Sequence, residues 1–144
     1  MEKEIVVGDS VLIMKAIGKN NTETCKLVSK IIPKIEQRLI KIIEKYGLPE
    51  EILINFKTGD ETLDGIYHSE SKEVSKNITF IDIFTKQLSW MKKEKSEEEV
   101  SLNLIDTLIH ELVHNKIQNE TKTKKIVFVY MKKNRKKIIN ELKR

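Results

Sequence analysis

Residues 96–118 read SEEEVSLNLIDTLIHELVHNKIQ, and this stretch decides the fold of the second half of the chain. Ser96 can cap a helix, Glu99 sits where a capping-box partner belongs, and three consecutive acids favour the positive end of the helix dipole. Set on a wheel at about 100° per residue with His110 at zero, His114 falls at about 40°, Thr107 at about 60° and Glu111 at about 100°. Leu102, Leu104, Ile105, Leu108, Ile109, Leu112 and Val113 fill the arc from about 120° to about 300°. One broad face is therefore apolar and meant for burial. The complementary face carries His-Glu-His in the pattern HExxH, residues His110, Glu111 and His114. Two histidines four apart can share a metal ion, and the glutamate between them can act on a water bound to it. This spacing predicts a helix through about Gln118, with Thr121-Lys122-Thr123 breaking it.

Working outward, residues 77–84 (NITFIDIF) form the best strand pattern in the chain, and residues 51–57 (EILINFK) alternate as a half-buried strand does. Thr58-Gly59-Asp60 reads as a turn, and residues 63–68 (LDGIYH) as a weaker strand whose Gly65 suggests an edge or a bulge. A short helix carrying Trp90 is predicted over Lys86 to Lys95. Val28, Ile31, Ile32, Ile35, Leu39, Ile42, Ile43 and Tyr46 recur at three and four, the stripe of an amphipathic helix, which Gly47 stops. Pro33 either kinks that helix or starts a second one. Residues 4–17 fit a hairpin turning at Gly8-Asp9 equally as well as a helix capped by Asp9 or Ser10. Residues 1–20 are thus an N-terminal extension of uncertain structure.

The whole chain of 144 residues is one domain by size, 39% apolar and 34% charged, with 5 Gly and 2 Pro. It is too apolar for a disordered chain. Its apolar runs are too short for a transmembrane helix, and no secretion signal is read at the N-terminus. A single cysteine, Cys25, excludes an intramolecular disulfide and a multi-cysteine metal ribbon, so a cytoplasmic location is expected. The net charge of +5 is uneven: residues 122–144 carry ten Lys/Arg and one acid, Glu141. A basic helix at 122–144 on an acidic body is either a solvated face, a nucleic-acid-binding segment, or a segment for self-association or self-inhibition.

The HExxH helix, preceded by a backing helix and three strands and followed by one further helix, resembles the zincin metallopeptidases, in particular the minimal single-domain minigluzincins. SprT-like and ImmA/IrrE-type peptidase domains share much of that layout. The resemblance covers residues from about 30 to 144. It implies an α+β zincin-like domain: a mixed sheet of three or slightly more strands packed on a backing helix and the HExxH helix, with a C-terminal helix beyond. It implies zinc held by His110 and His114, peptide-bond hydrolysis with Glu111 as general base, a peptide or unfolded protein as substrate, and an edge strand around Ile66-Tyr67-His68 that pairs with it.

A zinc site needs a third protein ligand and one position for water. After His114 the chain has no histidine, aspartate or cysteine, which leaves Glu120 and Glu141. Glu120 has the spacing of the third ligand in metzincins, but Ile117 stands where that group places a bending glycine. On a continuous helix Glu120 falls on the apolar side. Tyr130, Asn134 and Glu141 share a stripe of the last helix that borders its apolar face. The expected ligand is therefore Glu141. Tyr130 is the expected helper for the developing oxyanion, with Tyr67 and His68 as alternatives.

Overall fold

The computed structural model describes residues 1–18, 21–57, 65–68, 78–84 and 95–144. The predicted turn at 58–60 and the predicted helix over Lys86 to Lys95 lie largely outside these residues. The elements run β1 (Glu2–Val7), β2 (Ser10–Ala16), α1 (Thr22–Lys34), α2 (Glu36–Lys45), β3 (Glu51–Lys57), β4 (Gly65–His68), β5 (Ile78–Phe84), α3 (Glu97–Val113) and α4 (Glu120–Leu142). This is a small α+β fold: one mixed sheet of order β1-β2-β3-β5-β4 and, among the described residues, four helices.

The N-terminal residues resolve as the hairpin rather than the helix. Val7 pairs with Ser10 across a two-residue turn. Gly8 takes φ 61 while Asp9 stays at negative φ, the arrangement of a turn that puts glycine first. A side chain at Gly8 would also stand 3.2 Å from Ile40. The supposed extension thus supplies two strands to the sheet, because β2 pairs in parallel with β3.

β3 and β5 are parallel and β4 closes the sheet as an antiparallel edge. The register aligns Met14, Ile54 and Ile81 across three strands, each with no exposed surface. Leu12 and Ile52 form the next row, and Phe56 and Ile83 another. All point to one face, as a period of two requires. Each such side chain contributes roughly 1.5–3 kcal/mol when fully buried. α1 and α2 pack on this sheet toward β1 and β2, and α3 toward β4 and β5.

The stripe predicted over residues 28–46 is two helices. Pro33 lies in the last turn of α1, and the chain breaks at Ile35 with φ −114 and ψ 22. α2 ends at Gly47, which has φ 61, while Leu48 N–H donates to Ile43 O and Gly47 N–H to Glu44 O. That pair of bonds is a Schellman cap, and it needs the left-handed residue that glycine supplies. Cys25 is fully buried, and that burial pushes its thiol above the ordinary range.

No described helix is long and apolar enough to cross a membrane.

Candidate metal centre

α3 begins as its sequence requires: the Ser96 hydroxyl accepts from Glu99 N–H, and Glu97, Glu98 and Glu99 fill the first turn. The Glu99 carboxylate lies 3.9 Å from Lys95. Leu104, Leu108 and Leu112 are buried on the packed face. His110 and His114 are partly exposed on the opposite side, and Glu111 beside them is buried, with 4% of its surface accessible. One ligand atom from each of His110, Glu111 and His114 lies within 4.8 Å of the others.

The helix stops earlier than its apolar pattern suggests. Its last residue is Val113, and His114 is the cap. Lys116 N–H and Ile117 N–H both donate to Val113 O, which tightens the final turn. Asn115 donates to the carbonyls of Tyr46 and Gly47, fastening this turn to the end of α2. Asn119 then adopts an extended conformation, and its side chain accepts from Lys122 N–H to cap α4. The chain turns between two helices with no left-handed residue other than glycine among the described residues. The expectation that a bend here requires glycine is therefore corrected, as is the break expected at Thr121 to Thr123, which lies in the first turn of α4.

The bend decides the third side chain. Glu120, the first residue of α4, folds back over the histidines: its carboxylate oxygens lie 2.9 Å from His110 Nε2 and 2.7 Å from His114 Nε2. The two Nε2 atoms are themselves 3.1 Å apart. Glu141 is not there. Both of its carboxylate oxygens accept from Arg38 Nε, at 2.6 and 2.9 Å. Arg38 Nη1 also donates to Tyr130 Oη at 3.3 Å and to Asn134 Oδ1 at 3.1 Å. The predicted stripe of Tyr130, Asn134 and Glu141 is real, but what it faces is an arginine on α2. The placements of Glu141 as third ligand and of Tyr130 as oxyanion helper are corrected accordingly. Tyr67 and His68 lie on the edge strand β4, which packs against α3.

The protonation pattern follows from partners. His114 Nδ1 is 2.9 Å from Ile117 O, and a carbonyl only accepts, so Nδ1 carries the hydrogen. Nε2 is then the ring nitrogen that faces Glu120 and His110. Burial, with His114 adding to it, holds the His110 pKa below its ordinary value, against the opposing pull of Glu120 and Asp106. Burial works to raise the Glu120 carboxyl, but the His110 charge and the His114 hydrogen bond outweigh it, and the net direction is down. A metal ion requires deprotonated ring nitrogens and an ionised carboxylate, and the directions found for His110 and Glu120 both run that way. A tetrahedral ion with bonds of about 2.0–2.1 Å keeps its ligand atoms roughly 3.3 Å apart, within about half an ångström of the separations found here. The donor set fits a metal.

Thr123 holds the bend, and no sequence pattern singled it out. It is fully buried, with Oγ1 at 3.1 Å from Ile117 O and 2.9 Å from Asn119 O. Thr123→Val keeps the shape and removes the hydroxyl. It is expected to cost about 1–2 kcal/mol of stability. Because Ile117 O orients His114, it is also expected to weaken metal affinity by about 10- to 100-fold. Melting in chelator followed by metal titration measures both, and a variant unchanged in both would show that Thr123 does not hold the linker.

The basic C-terminal residues form the exposed side of α4, with Lys132, Lys133, Lys136 and Lys137 all open to solvent. No family profile, characterised protein or solved structure shows a significant match to this chain.

Proposed function

We propose that this chain is a zinc-dependent peptidase of the zincin type, with His110, His114 and Glu120 as the metal-holding residues. The observation that carries this reading is the convergence of three metal-competent groups within 2.7–3.1 Å of one another, beside a buried glutamate in an HExxH helix. Bound zinc would supply a Lewis acid and lower the pKa of a coordinated water. Glu111 takes the proton of the attacking water and returns it to the leaving amine. Its burial keeps the carboxylate in a site where proton transfer is not diluted by bulk solvent. Ile117 O, by accepting from His114 Nδ1, keeps that ring's other nitrogen turned toward the metal position. The substrate is an extended peptide or unfolded segment. Among the described residues β4 is the outer strand of the sheet and packs against α3, which makes strand addition at β4 the expected mode of substrate binding.

The test is metal content. Purified protein is expected to carry about one zinc per chain, and His110→Ala with His114→Ala is expected to abolish it. Zinc added to the stripped wild type should raise its melting temperature, since an ion bound only by the folded state stabilises that state. Stoichiometric zinc retained by the double variant would sink the assignment.

A further inference from the structure

Between α2 and α4 lies a cavity of about 550 Å³, within the size range of small-molecule sites. Its floor is the Arg38 cluster, and one wall is formed by Ile126 and Tyr130 of α4, both partly exposed. Its rim is cationic. Lys34 ends α1, Lys41 and Lys45 share a stripe of α2 with Arg38, and Lys137 and Arg144 stand opposite them on the α4 side. Against these six positive groups the lining holds two carboxylates, Glu36 and Glu141, and Glu141 is already bound to Arg38. Lys34 Nζ donates to Leu142 O, and Lys45 Nζ lies over the Tyr46 ring at 5.6 Å from its centre.

Like charges facing each other across a cavity weaken a fold unless an anion sits between them. Cations from both sides, converging on a pocket with an aromatic and aliphatic wall, have the chemistry of a receptor for a small molecule that is anionic at one end and apolar at the other. We propose that this cavity binds a small organic polyphosphate, the lysines and Arg144 taking the phosphates and the wall of Ile126 and Tyr130 taking the apolar or aromatic part. Six cations against two carboxylates leave a surplus of four charges, and a nucleoside triphosphate supplies about that many negative ones. A phosphate chain rather than a single carboxylate is what a row of point-charge lysines suits. The site is independent of the metal-binding residues and of the reaction assigned to them.

The probes are adenosine triphosphate and inorganic tripolyphosphate, titrated calorimetrically into the full chain without added divalent ions. Saturable binding of adenosine triphosphate is expected, tighter than that of tripolyphosphate. It is expected to weaken by at least about tenfold in Lys41→Glu with Lys137→Glu, and by a smaller factor in Lys34→Gln with Lys45→Gln. Both pairs are exposed, so melting should confirm that the variants fold. Lys124→Glu with Lys125→Glu, which alters the cavity beside His110 instead, should bind as the wild type does, and so should His110→Ala. No saturable binding at millimolar nucleotide and low salt would overturn the proposal. So would equal losses in the Lys124/Lys125 variant, tripolyphosphate binding as tightly as the nucleotide, or displacement of the nucleotide by a lower concentration of single-stranded oligonucleotide, which would assign the lysines to nucleic acid.

Discussion

Glu111→Gln is expected to abolish hydrolysis of an unfolded protein substrate while the protein keeps its zinc. The amide has nearly the volume of the carboxylate, and the site around residue 111 is closely packed, so the fold should persist. What it lacks is basicity. Positioned general acid–base groups contribute about 10²- to 10⁴-fold, and kcat should fall by that factor with little change in KM. Metal content should hold because the three groups that converge within 2.7–3.1 Å are His110, His114 and Glu120, and Glu111 is outside that set. Parallel zinc analysis and casein hydrolysis on the same preparation separate the two properties. Turnover equal to wild type would remove Glu111 from the chemistry, and loss of zinc would make it a ligand.

The parts of this fold that the sequence discloses are those whose signal is local. β3 and β5 carry a period of two, and α3 carries a capping serine, an acidic first turn and a broad apolar arc. Each appears at or within a residue or two of its expected start. Gly47 announces its Schellman cap because few other residues tolerate that conformation. β1 and β2 were not decidable, since the apolar runs on either side of Gly8-Asp9 satisfy both periods, and only pairing with β3 selects the strand. His110, Glu111 and His114 were legible as a set because one helix holds all three. The third side chain depends on where that helix stops. Its apolar pattern runs on to Ile117, and what ends it is tertiary: Asn115 tied to the end of α2, Asn119 capping α4, and buried Thr123 against the linker carbonyls. Glu141 lost its expected place for a similar reason. Its stripe faces inward as the periodicity requires, but the partner on the facing helix is Arg38, and nothing in the spacing of residues 38 and 141 reveals that they meet.

Glu120→Gln and Glu141→Gln should consequently show crossed phenotypes. Glu120 is exposed over much of its surface and makes its short contacts to the two histidines, so neutralising it should leave the metal-free protein about as stable as wild type. Zinc affinity should fall by more than about 100-fold, beyond the range that loss of a group outside the coordination shell produces. Activity should fall with it. Glu141 is the reverse case. Its carboxylate and the Arg38 guanidinium are 18% and 15% exposed, and an amide cannot accept on both atoms, so one Arg38 hydrogen bond is lost and a largely buried cation loses its counter-charge. The cost is expected at about 1–3 kcal/mol, a melting temperature lower by several degrees in chelator, with zinc stoichiometry retained. Deleting residues 140–144 should act as Glu141→Gln does, because it removes the same ion pair together with the Leu142 carbonyl that accepts from Lys34. Zinc titration and thermal melting of the three variants decide the matter. Retained affinity in Glu120→Gln with loss in Glu141→Gln would mean that the metal draws the C-terminal end of α4 across to the histidines, and that the bend after His114 holds Glu120 near them without using it.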